Sequence, residues 1–324
     1  MMIENTSHPP SVSVLMSVYN GEQFLGEAVE SILDQTYRDF EFIVVNDGST
    51  DGTRKILEAY HDKRIVLIHQ QHAGLTKALN QGLSMARGAY IARMDADDIS
   101  LPERLERQIA FLKDSPAVGL ISSHFYVIDH EGKQVSLCRP PVENEVLQNA
   151  LLTENQFCHG AAMFRSDCIK TVGTYRDFFK FAQDFDLWLR IAEKYHCGNL
   201  GLPLYKWRGD TRSLSLSSLK QKDNQFVYAA FAILLAQERR ASGMDRLQQY
   251  PESPWDLKNE LSFNARRTIL SPLYFMTSKG LHRRADISSA LMLAQKALLC
   301  NPFSWRIWKH LVYMTILNLF KINR

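Results

Sequence analysis

Apolar residues in the first third of the chain recur with two different periods. Short, β-rich apolar runs at 11–18, 40–45, 64–70 and 89–94 leave no room for a helix, so they predict buried strands. Between these runs the apolar residues recur every three to four positions, which predicts a helix after each of the first three strands. Strands that alternate with helices indicate a mainly parallel sheet that binds its ligand at the carboxyl ends of the strands.

The first predicted helix is preceded by a helix-start signal. Asn20 is followed three residues later by Gln23, which is the spacing of a capping box, and the apolar residues of 24–33 then fall on one helical face. The second helix is expected over 50–60 and the third over 74–88.

Later segments predict fewer strands and more helices. The pattern favours a helix at 102–114, a buried strand at 117–129 and another helix at 181–195. Beyond Ser215 no strand pattern is convincing, and the chain is expected to be helical to its end. We therefore expect an α/β domain over 1–215 and a helical region over 216–324.

Composition fits a folded protein of a reducing compartment. Of 324 residues 45% are hydrophobic, which is enough for a substantial core. The five cysteines form no CxxC pair, so a zinc ribbon or a disulfide framework is not expected. The polar start "MMIENTSHPPS" has no features of a secretion signal, and no apolar stretch reaches the roughly 18 to 20 residues of a membrane-spanning helix. These features predict a cytoplasmic location.

The net charge of +3 is unevenly distributed along the chain. From Trp255 to Arg324 there are 11 Lys and Arg against 3 Asp and Glu, so this region is basic and the preceding part is acidic. The segment 303–324 combines these cations with Trp, Tyr, Phe, Leu and Ile. Two interpretations remain open: a helix that lies in the interface of an anionic membrane, or a helix that packs on the rest of the protein.

Three carboxylates, Asp95, Asp97 and Asp98, follow directly after the fourth predicted strand. Like charges at the end of a buried strand repel one another unless a positive charge lies among them. A hard divalent cation takes carboxylate oxygens, and Mg²⁺ is often held by one or two carboxylates plus substrate phosphates. A helix N-terminus explains Asp98 or Ser100, but it does not explain three acidic residues together. The D-x-D pattern therefore indicates a metal site.

Other classes of nucleotide enzyme fit the sequence less well. The turn after the first strand, "SVYNGEQF", has neither the G-x-G-x-x-G of a dinucleotide-binding domain nor a Walker lysine. In phosphatases that resemble the haloacid dehalogenases, the D-x-D follows the first strand of the core, whereas here three predicted strands precede it.

Several motifs in order resemble one family. The segments "VSVLMSVYNGEQFLGEAVESILDQTYRDFEFIVVNDGSTDGT", "AGLTKALNQGLSMARGAYIARMDADDISLPERLERQ" and "FAQDFDLWLR" are similar to those of the inverting family 2 glycosyltransferases of the bacterial polysaccharide-assembly type. The resemblance covers about residues 11 to 215. It implies a GT-A fold, with a mainly parallel, Rossmann-like sheet flanked by helices and a helical C-terminal extension.

By that resemblance, five residues would bind the donor and its metal. Ser17 and Tyr19 would line the nucleotide pocket, with Tyr19 against the base, and Asp47 would accept a hydrogen bond from the base. Asp95 would face the ribose and the donor sugar. Asp97 would hold Mn²⁺ or Mg²⁺ against the diphosphate. Taken singly, without the other motifs, Tyr19 is better explained as a packing residue and Asp47 as a turn residue.

The resemblance also implies a general base and further contacts. Asp184 matches the base, and Asp186 is its competitor. Lys206 and Arg208 occupy basic positions suited to a diphosphate, in a segment that departs from the family pattern. Two more residues are ambiguous: Lys77 is either a diphosphate contact or a solvated helix residue, and His159 is either an acceptor-side residue or a structural histidine.

The expected activity is transfer of a sugar from a nucleotide donor, most readily a UDP-sugar, to a hydroxyl of a glycan or lipid-linked acceptor in cell-surface polysaccharide synthesis. The expected place is the cytoplasmic side of the membrane, with no nucleic-acid partner. One alternative is a sugar-phosphate nucleotidyltransferase, although the turn after the first strand lacks the basic, Gly-rich loop that such an enzyme needs. The other is a non-catalytic relative that binds nucleotide sugars.

Overall fold

The computed structural model describes residues 8–209, 216–251, 253, 257–283 and 287–322. The chain forms two compact units, one of Met1–Leu151 with Asn155–Thr211 and the other of Leu152–Glu154 with Arg212–Arg324. The boundary predicted at residue 215 lies in the segment 210–215, outside the described residues.

Four parallel strands form one half of the sheet in the first unit. They are β1 (Val12–Val18), β2 (Phe40–Asp47), β3 (Ile65–Gln70) and β4 (Tyr90–Asp95), in the spatial order β3-β2-β1-β4. The connecting helices are α1 (Leu25–Leu33), α2 (Thr53–Glu58) and α3 (Leu75–Met85). All eight residues of β2 are buried, as expected for a strand with helices on both faces of its sheet. The predicted βα alternation is confirmed.

The other half of the sheet mixes both strand directions. Its elements are β5 (Ile99–Ser100), α4 (Arg104–Asp114), β6 (Val118–Ile128), β7 (Gln134–Cys138), α5 (Asn144–Ala150), β8 (Met163–Arg165), α6 (Ser166–Val172), α7 (Gln183–Ala192) and β9 (His196–Arg208). Strand β8 lies antiparallel between β4 and β6, β9 runs parallel to β6, and β5 pairs antiparallel with β9. The pairing of β5 with β9 brings the segment after β4 next to Lys206 and Tyr205.

The predicted capping box at Asn20 is wrong. The N-cap of α1 is Phe24, which has no side-chain cap. Asn20 instead has a positive φ of 51° and accepts a hydrogen bond from the N–H of Thr50 at 2.8 Å, which ties the loop after β1 to the loop after β2. The Asn20 side chain therefore bonds to a residue that is distant in the chain instead of capping the nearby helix.

Helices make up the second unit over the residues described, as predicted. They are α8 (Leu216–Ser242), α9 (Arg246–Gln249), α10 (Leu257–Glu260), α11 (Phe263–Ala265), a π-helical turn (Arg266–Leu270), α12 (Ser271–Arg283), α13 (Ile287–Cys300) and α14 (Trp305–Ile322). Helices α12, α13 and α14 pack in sequence, and Ala290, Ala294 and Ala297 of α13 are fully buried. In the described part of the chain no helix is both long enough and apolar enough to cross a membrane.

Candidate active site

A cleft of about 340 Å³ opens at the carboxyl ends of β1 and β4. These strands are neighbours in the sheet, and Ser17 is opposite Asp95 in their register. The cleft is lined by Ser17, Val18, Tyr19, Asn20, Gly21, Gln23, Phe24, Asp95, Ala96 and Asp97. Four of the predicted site residues, Ser17, Tyr19, Asp95 and Asp97, therefore share one cleft.

A buried cation lies beneath Asp95. Arg93 is fully buried, and its guanidinium forms an ion pair with Asp95 while donating to the main-chain oxygen of Leu15 at 2.8 Å. Burial opposes the charge of Asp95, but the positive charge of Arg93, with help from Arg104, lowers the pKa of Asp95 below its ordinary value. Asp95 is thus ionised, and its orientation is fixed by Arg93, which no sequence motif marks.

A second buried arginine supports the strand that carries Asp95. Arg104 of α4 donates to the main-chain oxygen of Arg93 at 2.6 Å, and its guanidinium lies 5.1 Å from the ring centroid of Tyr205. The Tyr205 hydroxyl accepts the N–H of Asp95 at 3.2 Å. A Cβ atom on Gly160 would lie 2.0 Å from that hydroxyl and 2.9 Å from Oδ2 of Asp95. Only glycine therefore fits at residue 160.

The other two carboxylates of the cluster differ in their surroundings. Asp98 is buried, accepts the N–H of Arg208 at 2.7 Å, and has a pKa well above its ordinary value because of burial and the charges of Asp95 and Asp97. Asp97 is exposed at the cleft. Crowding by protein atoms and the charge of Asp95 raise the pKa of Asp97 to about 6. Asp98 therefore holds the turn, while Asp97 faces the cleft.

The donor set at this turn fits a divalent cation that is shared with a ligand. Asp97 offers an exposed carboxylate, and a cation beside it would relieve the repulsion from Asp95. Among the described residues, no three His, Cys, Asp or Glu side chains are grouped so as to hold a metal by themselves. Mg²⁺ sites with one or two carboxylates take their remaining ligands from water and substrate phosphates.

Asp184 lies in the first turn of α7, after Ala182 in the left-handed conformation. Its Oδ2 accepts a hydrogen bond from Nδ2 of Asn155 at 2.8 Å. Burial is the main reason that the pKa of Asp184 rises to about 6, and the charge of Asp95 raises it further. A carboxylate with this pKa is ionised at neutral pH yet basic enough to accept a proton.

Asp186, the competitor for the role of base, is engaged elsewhere. It is fully buried, and Arg176 and Arg190 both form ion pairs with it. Nε of Arg176 donates to its Oδ2 at 2.9 Å, and Nε of Arg190 donates to the same oxygen at 3.1 Å. Asp186 therefore anchors α7 to the preceding loop.

His159 is part of the network beneath Asp95. Its Nε2 accepts a hydrogen bond from Nε of Arg93 at 3.0 Å and lies 3.1 Å from the hydroxyl of Tyr175. Burial and the neighbouring charge of Arg93 lower the pKa of His159 to about 3, so the imidazole is neutral. Because Arg93 always donates, Nε2 carries no proton.

Asp47 lies outside the cleft lining, at the end of β2. Its Oδ1 accepts from Nε2 of Gln70 at 2.6 Å and from the N–H of Ala73 at 2.8 Å. Its Oδ2 accepts from the N–H of Gly74 at 2.9 Å, and Nδ1 of His72 lies 3.0 Å away. The His72 ring in turn stacks on Tyr19.

The three predicted cations differ in availability. Lys77 is exposed on α3 and Lys206 is half-buried on β9. The Arg208 guanidinium donates to Glu27 at 2.5 Å, to the main-chain oxygen of Asp97 at 2.7 Å and to the main-chain oxygen of Asp129 at 3.0 Å. Arg208 thus braces the turn that presents Asp97.

Comparison with known proteins identifies the family and the fold of this chain. Residues 13–173 match the family model described as "Glycosyl transferase family 2". EpsE of Bacillus subtilis, which is named as a glycosyltransferase, is 39% identical over 209 residues, 62% of this chain and 74% of the relative. The O-antigen biosynthesis glycosyltransferase WbnJ of Escherichia coli is 31% identical over 214 residues, 64% of this chain and 83% of the relative. The amylovoran biosynthesis glycosyltransferase AmsE of Erwinia amylovora is 34% identical over 189 residues, 57% of this chain and 70% of the relative.

Solved structures share the fold. S. aureus TarS 1–349 in complex with UDP-GlcNAc matches with a TM-score of 0.59 at 17% identity, over 91% of this chain and 93% of that one. The mannosyltransferase PcManGT of Pyrobaculum calidifontis, in complex with GDP-Man and Mn²⁺, matches with a TM-score of 0.54 at 20% identity, over 97% of this chain and 88% of that one. The GT-A fold expected from the sequence is thereby confirmed. The chain belongs to glycosyl transferase family 2 and is a glycosyltransferase.

Proposed function

We propose that the protein is a metal-dependent, inverting glycosyltransferase that uses a nucleoside diphosphate sugar. The observation that carries this proposal is the different setting of two carboxylates. Asp95 is paired with the buried Arg93, which holds its pKa low, whereas Asp184 accepts a hydrogen bond from Asn155 and burial raises its pKa to about 6. One group stays charged for binding, and the other is suited to accept a proton.

Donor binding is assigned to the end of the sheet where β1, β2 and β4 meet. Ser17, Tyr19 and Asp95 face the cleft, and Asp47 lies behind it with its carboxylate held by the loop that follows β3. In the related folds named above, UDP-GlcNAc is bound to TarS and GDP-Man to PcManGT. We assign a UDP-sugar to this chain as the donor.

The diphosphate and its cation belong at Asp97. This carboxylate would hold Mn²⁺ or Mg²⁺, which supplies charge neutralisation for the leaving diphosphate. Lys77 and Lys206 have no ion-pair partner within the described residues, so both remain available to phosphate oxygens. Arg208 acts indirectly, because its hydrogen bond to the Asp97 main chain fixes the turn.

Proton transfer is assigned to Asp184. An acceptor hydroxyl that attacks the anomeric carbon must lose its proton as the new bond forms, and an ionised Asp184 would receive it. Attack opposite to the leaving diphosphate in a single displacement inverts the anomeric centre. Asn155 keeps the Asp184 side chain in place, and His159 stabilises the floor of the site through Arg93.

The acceptor is proposed to be a growing glycan or a lipid-linked saccharide. Two relatives are named for amylovoran and O-antigen biosynthesis. Such acceptors are polymers assembled at membranes, so we place this chain at the cytoplasmic face of the membrane. Helix α14 offers the surface for that contact.

One face of α14 exposes large apolar side chains. Ile307 and Met314 are buried, whereas Trp305, Trp308 and Val312 are 76%, 44% and 53% exposed and recur at helical spacing. Exposed apolar stripes of this kind mark interaction surfaces. We name the stripe Trp305, Trp308, Lys309 and Val312 the aromatic face.

The charge of the region favours an anionic lipid surface as the partner. No Asp or Glu occurs from Ile287 to Arg324, whereas Lys296, Arg306 and Lys309 are cationic. Trp prefers the membrane interface, and anionic lipids contribute about 1 kcal/mol for each nearby Lys or Arg. Side chains beyond Thr315 lie outside the described part of the helix.

The activity is tested by incubating the full chain with labelled UDP-sugars, Mn²⁺ and membranes that carry the acceptor. Transfer of label to a glycan or lipid, with release of UDP, supports the proposal. When pyrophosphate is added, conversion of the labelled UDP-sugar to UTP and sugar 1-phosphate would indicate a nucleotidyltransferase. Binding of donor without turnover would indicate a non-catalytic relative.

A further inference from the structure

His72 covers the exposed side chain of Tyr19. The two rings have their centroids 4.1 Å apart and their planes inclined by 30°. This is a stacking distance, and an aromatic face that is covered by one ring cannot stack a second ring on the same side. Tyr19 is the residue to which the nucleobase of the donor is assigned above.

His72 also forms a hydrogen bond with Asp47. Its Nδ1 lies 3.0 Å from Oδ2 of Asp47 and 3.1 Å from the main-chain oxygen of the same residue. Both partners are acceptors, so Nδ1 carries the proton. Gln70, Ala73 and Gly74 provide three further hydrogen bonds to the carboxylate.

These four donors use all the hydrogen-bond acceptor sites of the Asp47 carboxylate. An ionised carboxylate accepts about four hydrogen bonds, and the Asp47 side chain is only 2% exposed. While the imidazole stays in place, no acceptor site on this carboxylate remains for the N–H of a nucleobase.

His72 is the donor that is best placed to leave. Two of the four donors are main-chain N–H groups and the Gln70 side chain is half-buried, whereas the His72 side chain is 54% exposed. The main chain after His72 is held by the hydrogen bonds from Ala73 and Gly74 to Asp47, and it packs closely on Gly48, where a Cβ would lie 2.5 Å from the His72 nitrogen. A rotation of the His72 side chain therefore opens the position without moving the loop.

We infer that the imidazole of His72 occupies the nucleobase position in the empty enzyme and is displaced when the donor binds. The imidazole presents a flat ring to Tyr19 and an N–H to Asp47, which are the two features that the uracil of a UDP-sugar offers. Binding thus exchanges one stack and one hydrogen bond for another. The inference rests on the proposed function, since it takes Tyr19 and Asp47 as the nucleobase contacts.

The need to displace the His72 imidazole lowers the apparent affinity of the enzyme for the donor. When only a fraction of molecules is competent to bind, the apparent Kd equals the intrinsic Kd divided by that fraction. Removing the imidazole makes every molecule competent. His72 is therefore a residue that sets donor affinity, although it lies outside the cleft lining.

The test is calorimetric titration of UDP, with Mn²⁺ present, into the wild type and His72→Ala. We expect the Kd for UDP to fall by about 3- to 10-fold in His72→Ala. Inorganic pyrophosphate with Mn²⁺ is the matched ligand control, because it lacks a base, and its Kd should not change. A thermal unfolding curve shows whether the variant is folded.

Two sets of results separate the inference from the proposed function. An unchanged or weakened UDP affinity in His72→Ala, with Tyr19→Ala and Asp47→Asn still weakening UDP binding, overturns the inference and leaves the donor site intact. If Tyr19→Ala and Asp47→Asn bind UDP as the wild type does, the nucleobase assignment itself is wrong.

Discussion

Arg93 connects Asp95 to His159 beneath the cleft: its Nη2 pairs with the Asp95 carboxylate, and its Nε donates to Nε2 of His159 at 3.0 Å. A charged side chain on a central strand is stable only when it is paired and hydrogen-bonded. Each of the three guanidinium nitrogens of Arg93 has a hydrogen-bond acceptor. The ionised state of Asp95 at the cleft therefore depends on a cation that is fully buried.

Replacement of Arg93 by Met should destabilise the fold by about 3 to 5 kcal/mol, because it leaves Asp95 without its counter-ion. Chemical denaturation measures the loss. Arg107→Met is the matched control, since Arg107 pairs with Glu103 on the exposed face of α4 and should cost no more than about 1 kcal/mol. Equal losses in the two variants would contradict the role given to Arg93.

Asp184→Asn should stabilise the protein at neutral pH. The pKa of Asp184 is raised in the folded state to about 6 from an ordinary value of 3.8, so the folded state binds its proton more tightly than the unfolded state. Stability from this group is present below pH 4 and is lost as the pH rises through about 6. Asn carries no charge, so the variant avoids that loss, which amounts to about 3 kcal/mol.

Thermal unfolding at pH 4.5 and pH 7.5 tests this expectation. The melting temperature of Asp184→Asn should exceed that of the wild type at the higher pH, and the difference should shrink at the lower pH. A variant that is less stable than the wild type at both values would show that the charged carboxylate is well accommodated.

Asp97→Asn should remove the metal dependence of nucleotide binding. In the wild type, Mn²⁺ is expected to tighten UDP binding, because Asp97 would hold the cation and the cation would neutralise charge on the diphosphate. Titration of UDP with Mn²⁺ and with a chelator measures the difference. Asp167→Asn, which changes an exposed carboxylate on α6, should keep the full metal effect. A metal effect that survives in Asp97→Asn would place the ligand elsewhere.

Trp305→Gln with Trp308→Gln should weaken binding to vesicles that contain anionic lipid, while donor turnover without membranes stays normal. Both side chains lie on the aromatic face of α14, so their replacement leaves the buried Ile307 and Met314 in place. Phe263→Gln is the control, because it removes an exposed aromatic residue that lies outside this face. Vesicle sedimentation gives the readout. If the double variant binds vesicles as the wild type does, and if a dimer of the wild type is lost in the variant, the aromatic face contacts a second copy of the chain instead of a membrane.

The sequence predicted the elements whose signal is local. Strands β1 to β4 and their helices follow from the spacing of apolar residues, and the cluster of Asp95 and Asp97 follows from its place after β4. The role of Arg93 could not be found in this way. An arginine in a strand is expected to be exposed, and the acceptors that bury it include Leu15 and His159, which are distant in the chain.

The same limit applies to contacts between loops. The sequence predicts that Asn20 caps α1, but the loop after β2 provides Thr50 as its partner. Asn155 and His72 carried no motif of their own, and they gained importance only because the fold places them beside Asp184 and Tyr19. A local pattern cannot indicate which remote side chain will compete for a group.

The central claim is that Asp184 accepts the proton of the acceptor while the donor is bound elsewhere in the site. Its most direct test compares Asp184→Asn with the wild type in two measurements at pH 7.5: the Kd for UDP with Mn²⁺, and the rate of sugar transfer from labelled donor to membrane acceptor. We predict a Kd within about twofold of the wild type and transfer slower by about 10² or more. Transfer at a rate near that of the wild type would contradict the account, because the proton would then be taken by another group.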